Sequence, residues 1–316
     1  MNPDSFGPVL MEDAPCPNGC KKDDEFVLCA RDLLSGLPGK FTVVRCKQCS
    51  LMRTDPRPTP ETIGYYYPDD YGPYAGTVVS GNELNAKNWK QRIKRLLSSH
   101  STDLPKMDPG NLLEVGCASG SFLHTMRLSG WQVEGIEFSD AAAENARRHG
   151  FTVHTGSLET APEPGDKYDL VVAWMVVEHL HDPMLSLKKL SAWTKENGYL
   201  AFSIPNSNSF FFGKYSYNLQ LPTHLYHFTP DTITALLNKA GWKVERIQHQ
   251  VTLCSLFGSI GYYLRETRGD SKLSKWLINY TTRGGITQYI LYPIAFLLAL
   301  AGQTGRITIW ARNHSD

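Results

Sequence analysis

The sequence predicts an α/β fold, a mostly parallel seven-stranded sheet flanked by helices, with a small N-terminal cysteine module and a helical insertion before the last strand. Three observations carry this prediction. From Asn111 onward, short apolar runs alternate with helical stretches, the pattern of βαβ units on a parallel sheet. A glycine turn, Glu114-Val-Gly116-Cys-Ala-Ser-Gly120, separates the first apolar run from the first helix. Five of the seven cysteines fall within the first 57 residues.

Strands are expected at Leu112–Val115, Val133–Glu137, Phe151–His154, Leu170–Trp174, Tyr199–Ile204, Lys243–Ile247 and Ile307–Ala311. Gly120–Leu128 reads as the first helix, ended by Gly130. Asp140–His149 is the second, with Ser139 as N-cap, Arg147, Arg148 and His149 suiting its negative C-terminal end, and Gly150 as its stop. Pro183–Lys195 places Leu185, Leu187, Leu190 and Trp193 on a partly apolar face, and Pro230–Ala240 closes at Gly241. The chain divides into a cysteine module (1–57), a Tyr/Pro-rich linker with a basic helix near Trp89–Leu97 (58–110), and the α/β domain (111–316), whose segment 252–305 is the apolar insertion.

At 316 residues the chain suffices for one large domain plus a small appendage. With 41% hydrophobic and 20% charged residues it can bury a real core. A formal charge of +1 argues against a broad nucleic-acid footprint. The first residues lack the charged, apolar and small-residue regions of a secretory signal, and an odd number of unevenly spread cysteines does not suit a disulfide framework. A reducing cytoplasmic setting is expected.

Gly284 to Gly305 contains no charged residue, and Tyr289–Leu300 is almost wholly apolar. A spanning helix needs roughly 20 apolar residues. Here Thr287, Gln288 and Pro293 interrupt the run, and Gln303 and Thr304 follow it. The expectation is a buried or pocket-capping helix; peripheral contact with the inner face of a membrane through 284–305 is the alternative, ahead of a true span.

The glycine turn lets backbone approach a ligand, and the helix start beyond it offers free N–H groups to an anionic moiety. A dinucleotide site would want G-x-G-x-x-G, but Gly116, Ala118 and Ser121 occupy those places, and no Gly-Lys-Ser/Thr of a P-loop follows. Twenty-one residues beyond Gly116, Glu137 ends the second strand, where a carboxylate can accept both ribose hydroxyls of an adenosyl group.

The stretches LLEVGCASGSFL, GWQVEGIEFS, GSLE, KYDLVVAWMVVEHLHDP and NGYLAFSIPN, in that order and spacing, resemble the Rossmann-like (class I) S-adenosylmethionine (SAM)-dependent methyltransferases, in the branch that includes the ubiquinone-biosynthesis O-methyltransferases. The resemblance implies that Glu114 and Gly116 line the methionine end, that Glu137 holds the ribose, and that Ser157 with Leu158 frames the adenine. Cys117, Ala118, Gly120, Phe138 and Trp174 complete the expected cofactor site. Position 118 is often glycine in that family; alanine is tolerated there where φ stays negative.

Methyl transfer from a sulfonium is an in-line displacement, helped by alignment and, for a hydroxyl acceptor, by a base. Glu178-His179 follows the fourth strand at the ligand edge of the sheet, and His179 is one candidate base, with Glu178 beside it. His224, in Pro222-Thr-His224-Leu-Tyr-His227, is the other; His224 and His227, three apart, could instead share a helix face and ligate a metal. His181 is expected at the surface. Tyr65, Tyr66, Tyr67, Tyr71 and Tyr74 read as a lid over the cofactor or as core packing.

Cys16-Pro-Asn-Gly-Cys20 and Cys46-Lys-Gln-Cys49 form two knuckles 25 residues apart, a set of four thiolates suited to a structural Zn²⁺, with Cys29 as a spare. This leader, with the following Asp55-Pro-Arg-Pro and Tyr66-Tyr-Pro-Asp-Asp-Tyr71, resembles the zinc-ribbon leaders of bacterial methyltransferases of glycan, deoxysugar and natural-product pathways. The expected function is methylation of a hydroxyl on a sugar, glycan or related small acceptor, and the apolar insertion with Phe210-Phe-Phe212 suggests a lipid-linked one. C-methylation of a nucleotide-linked ketosugar, O-methylation of another secondary metabolite, RNA methylation, and a zinc-dependent nucleic-acid- or protein-binding adaptor with a vestigial domain are the alternatives. Near-neutral charge opposes RNA as partner, and nothing in the sequence sets the oligomeric state.

Overall fold

The computed structural model describes residues 8–67, 104–280 and 285–314. The cysteine module forms β1 (Met11–Glu12), β2 (Asp24–Ala30), β3 (Phe41–Cys46), β4 (Met52–Thr54) and β5 (Arg57–Pro58). The α/β domain follows as β6 (Asn111–Val115), α1 (Ser121–Leu128), β7 (Gln132–Glu137), α2 (Asp140–Arg148), β8 (Thr152–Thr155), β9 (Tyr168–Trp174), α3 (Pro183–Trp193), β10 (Thr194–Pro205), β11 (Tyr226–His227), α4 (Pro230–Lys239) and β12 (Trp242–His249). The insertion contributes α5 (Cys254–Arg268), α6 (Lys272–Ile278), α7 (Thr287–Ile290) and α8 (Tyr292–Leu300), and β13 (Arg306–Asn313) closes the fold.

The seven-stranded sheet has the order β12-β13-β10-β9-β6-β7-β8. Its strands run parallel except β13, which is antiparallel to both neighbours. Because side chains alternate across a strand, each buried strand feeds two cores. Leu113, Val115, Val171, Ala173, Leu200 and Phe202 pack with α3 and α4 through Leu187, Leu190 and Leu236. Leu112, Leu170, Val172 and Ala201 pack on the other face with Leu123 and Met126 of α1 and Ala143 and Ala146 of α2.

The helix starts follow the expected capping chemistry. Ser139 accepts from the Ala142 N–H, and Asp182 Oδ1 accepts from the Leu185 N–H at 2.9 Å with Pro183 next in line. Thr229 and Thr232 form a reciprocal capping box ahead of α4. The third helix stops earlier than expected, at Trp193, because Thr194 already pairs with Tyr168 as the first residue of β10.

Chain order reverses between β6 and β9, since β6 leads outward to β7 and β8 while β9 returns to its other side. Ligands of open α/β sheets bind outside the carboxyl ends of strands at such a switch point. The Gly116 turn leaves β6 at that edge, and Met175–His179 leaves β9 beside it.

The cysteine module shares its sheet with the α/β domain. Its second sheet has the order β11-β4-β3-β2, so Tyr226 pairs with Arg53 and His227 with Met52. His224–His227 is therefore not a helix turn, which corrects the expectation of a shared helix face. Arg53 is almost fully buried, donates to both carboxylate oxygens of Asp24 at 2.8 and 2.7 Å, and donates to the Ala14 carbonyl.

In the insertion, Leu253, Tyr280 and Ala295 form a small separate core. Within α8 only Ala295 is buried, which corrects the expectation of a buried helix: no further layer among the described residues covers it. No helix among the described residues is long and apolar enough to cross a membrane.

Candidate active site and cysteine cluster

The turn after β6 takes three left-handed residues, Gly116 (φ +74°), Ala118 (φ +46°) and Gly120 (φ +82°). A Cβ on Gly116 would meet Val176 Cγ2 at 2.6 Å, and one on Gly120 would meet the Phe151 ring at 2.9 Å. Ala118 departs from the expectation that its φ stays negative. The strained backbone is held by a strong acceptor, since the Ala118 N–H donates to Glu137 Oε2 at 2.8 Å. Glu137 Oε1 accepts from the Ser139 N–H, also at 2.8 Å, so each carboxylate oxygen carries one backbone bond and keeps a lone pair.

Glu114 and Glu137 are both buried. Burial raises the Glu114 carboxyl well above its ordinary range, and the nearby Glu137 raises it further; the Leu123 N–H opposes this. Burial raises Glu137 too, against the N–H groups of Ser139 and Ala118. Glu114 Oε2 has no hydrogen-bond partner among the described residues, nor does the Trp174 indole N–H. The Trp174 ring packs edge-on against Phe122 at 5.5 Å. Cys117 is buried, and burial pushes its thiol up. Phe138 stands exposed at the rim. The Ser157 turn is tied to Glu137, because the adjacent Gly156 N–H donates to the Glu137 carbonyl; Leu158 is buried in the core.

Across the switch point a second cluster assembles. Glu178 is fully buried with neither carboxylate oxygen hydrogen-bonded among the described residues, and burial pushes it up to about 8, with the charge of Arg306 opposing. His179 and His224 meet edge to face, ring centroids 4.7 Å apart. One ligand atom from each of Glu178, His179 and His224 lies within 4.8 Å of the others. His224 Nδ1 lies 2.8 Å from the Asn218 carbonyl, and His179 Nδ1 lies 2.8 Å from the Thr223 carbonyl. A carbonyl only accepts, so both Nδ1 atoms carry the proton and both Nε2 atoms present lone pairs. Burial pushes His179 down to about 4 and His224 well below its ordinary value. The cluster is thus a neutral carboxyl and two neutral imidazoles, able to take a proton or to hold a cation.

Tyr67 joins the two halves. Its hydroxyl lies 2.9 Å from His179 Nδ1, and its ring sits between His179 and Phe138, at centroid distances of 6.1 and 6.4 Å. The neighbouring Tyr66 is instead core packing, edge-on to Phe41. Tyr71, Tyr74 and the basic helix lie outside the described residues. His227 is buried against Phe212, its Nε2 3.2 Å from Thr54 Oγ1. His181 is half-buried rather than a surface residue, with Nε2 3.1 Å from the Pro58 carbonyl. Tyr67 stood among the tyrosines expected as a lid or as core packing, though the Tyr-Tyr-Tyr-Pro run does not say which ring turns inward; Asn218, Thr223 and Arg306 were not legible as site residues.

Cys16, Cys20, Cys46 and Cys49 bring their sulfurs within 4.8 Å of one another, with Cys16 and Cys49 at 3.5 Å. A tetrahedral Zn²⁺ with bonds of about 2.3 Å sets its sulfurs about 3.8 Å apart, so this donor set fits such an ion. Cys29 is exposed and stands outside the group.

The glycine cradle, the acidic residue ending β7 and a sheet whose last strand alone is antiparallel define a nucleotide-cofactor α/β domain of the methyltransferase class. The model of the family described as "Methyltransferase domain" matches residues 83–247, more than half of the chain, and the chain belongs to that family. It is similar to the ubiquinone biosynthesis O-methyltransferase of Nitrosospira multiformis, 32% identical over 154 residues that cover 43% of this chain and 64% of that one. It is also similar to the Bordetella avium protein of the same name, 33% identical over 147 residues, 41% of this chain and 61% of that one. The chain thus spans less than two thirds of the length of these curated relatives. Among solved structures, an S-adenosylmethionine dependent methyltransferase from Mesorhizobium loti is 15% identical, with a TM-score of 0.47 over 71% of this chain and 97% of that one.

Proposed function

We propose that the protein transfers a methyl group from SAM to a hydroxyl of a sugar, glycan or related small acceptor, and that the Glu178–His179–His224 cluster receives the acceptor's proton. The buried cluster at the carboxyl end of β9 is the observation that carries this reading. The relatives' name, O-methyltransferase, supports oxygen as the accepting atom. The resemblance of the cysteine leader supports the glycan class.

The donor cleft fits SAM by its chemistry. Two buried carboxyls, raised by desolvation with no cation among the causes acting on them, suit a ligand bearing positive charge. Glu114, with Oε2 unpartnered, would hold the ammonium; the remaining lone pairs of Glu137 would accept the ribose hydroxyls; the Trp174 N–H would serve the carboxylate. When bound, SAM supplies an electrophilic methyl group on a sulfonium. His179 or His224 takes the acceptor's proton on Nε2, with the buried Glu178 carboxyl within 4.8 Å of both rings' ligand atoms to stabilise the imidazolium. Proton uptake there coincides with loss of positive charge from the donor, so the cleft's total charge is unchanged and burial opposes the step less than the resting histidines imply. Tyr67 and Thr223 orient His179, and Asn218 orients His224.

We read the four-cysteine group as a structural Zn²⁺ site that shapes the acceptor side, since β4 pairs with β11 directly beyond His224. Seven thiols without a disulfide support a reducing, cytoplasmic setting.

Calorimetry with S-adenosylhomocysteine should show binding that Glu137→Ala weakens by about a hundredfold, the loss of two charge-assisted bonds. Methyl transfer from labelled SAM to a panel of hydroxylated glycans should fall about 10²- to 10⁴-fold in His179→Gln with S-adenosylhomocysteine affinity kept. Undiminished turnover in both His179→Gln and His224→Gln would overturn the base assignment. Activity lost to a chelator while the four-cysteine zinc is retained, and restored by a divalent cation, would move the cluster from proton uptake to cation binding.

A further inference from the structure

Helix α8 has no polar side. Its inner residues Ala295 and Leu298, with Leu291 before it, pack with Leu253, Phe257 and Tyr280. Outward, Ile294, Leu297 and Leu300 of α8, with Ile286 and Ile290 at the two ends of the preceding α7, are between 50% and 73% exposed. Their spacing of three and four residues is that of one helical face. Phe210, 78% exposed, extends this apolar edge: its N–H donates to Gln303 Oε1 at 2.9 Å, and Ser209 Oγ donates to the Gln303 carbonyl, so the loop after β10 is held beside the end of α8.

We propose that this face lies in the headgroup and upper acyl region of an anionic lipid bilayer. Soluble surfaces rarely leave a contiguous patch of this kind uncovered. At about 1.5 Å per residue, Ile286 to Leu300 reaches about 22 Å even if continuous, short of the roughly 30 Å hydrocarbon core, so the segment lies along the membrane instead of crossing it. Residues 250–305 carry Arg265, Arg268, Lys272, Lys275 and Arg283 against Glu266 and Asp270 alone, whereas the rest of the chain is net acidic. Arg268, Lys272 and Lys275 are exposed, as is Leu273 between the two lysines. Lys275 is paired with Asp270 at 3.4 Å, and the insertion that carries the apolar face keeps a basic surplus, which suits anionic phospholipid. A second copy of the chain would set two equally basic insertions against each other across a twofold contact. The inference also deepens the proposed function and rests on it only in one respect: the Phe210 loop leaves β10 at the ligand edge of the sheet, so an acceptor carried on a lipid could be presented there.

The test is flotation of the full chain with phosphatidylglycerol-containing vesicles and with pure phosphatidylcholine vesicles. The chain should float with the anionic vesicles, more weakly with the neutral ones, and less at high salt. The double variant Ile294→Glu, Leu297→Glu should lose at least about tenfold in vesicle affinity, and Lys272→Glu, Lys275→Glu should lose the preference for anionic lipid. Unchanged S-adenosylhomocysteine affinity shows that the variants are folded and keeps this test separate from the methyltransferase reading. A chain that ignores both vesicle types, or binding unaffected by the Ile294/Leu297 variant, overturns the proposal. So does a dimer, by light scattering, that the same variant converts to monomer without any vesicle binding.

Discussion

Replacing Glu178 with glutamine should stabilise the protein by an amount that grows with pH. The Glu178 carboxyl is fully buried, unpartnered, and pushed up from 4.5 to about 8 by desolvation. A carboxyl raised in the folded state keeps its proton there after the unfolded chain has released it. Its favourable share is therefore complete below pH 4.5 and is lost as pH climbs through 8. The loss accumulates at about 1.4 kcal/mol for each pH unit above 4.5, a ceiling of about 4 kcal/mol at pH 7.5. Relaxation and water entry reduce this, and about 2 kcal/mol is the expected gain. Glutamine is neutral at every pH, so it removes the dependence, while its unpartnered amide contributes an offset that pH does not change. For a chain of this size 1 kcal/mol moves Tm by about 2 °C, so the variant should overtake the parent by about 4 °C between pH 5 and pH 7.5. Differential scanning fluorimetry across that interval measures it. A Tm difference that stays flat with pH, or that shrinks as pH rises, would refute the assignment of a buried, protonated Glu178.

Three further outcomes are expected. Ala118→Gly should relieve the φ of +46° and raise stability by about 0.5–1 kcal/mol with S-adenosylhomocysteine binding kept; a fall in Tm would show that the turn is not strained. Cys46→Ser should abolish the roughly one zinc per chain detected by metal analysis of the parent and cost several kcal/mol in chemical denaturation, and a variant that keeps its metal would count against the four-sulfur site. Stability should also fall on acidification: His179 at about 4 and His227 at about 3 are held below 6.5, so their contribution is full above 6.5 and is lost as pH drops toward those values, a loss that His227→Gln should reduce in urea titrations.

Much of the fold was legible because it is locally encoded. Apolar runs bounded by Gly130, Gly150 and Gly241, with Ser139 as a cap, mark strands and helices through interactions a few residues long. The donor cleft was legible for a related reason: one βαβ unit carries Glu114, Gly116, Gly120 and Glu137, so the short connection itself brings them together. The left-handed φ of Ala118 was not, since alanine there argues against it and only the bond to Glu137 holds it.

The acceptor side belongs to the tertiary structure. His224 reaches His179 because β11, two residues long, pairs with β4 of the cysteine module, a contact across more than 170 positions that no periodicity announces. Tyr67 reaches the same cluster from the linker that follows the module. The amino-acid order alone determined that residues 284–305 are apolar. Only the packed chain decided that Ile286, Ile290, Ile294, Leu297 and Leu300 face outward, because burial depends on whether another layer arrives to cover a helix, and among the described residues none does.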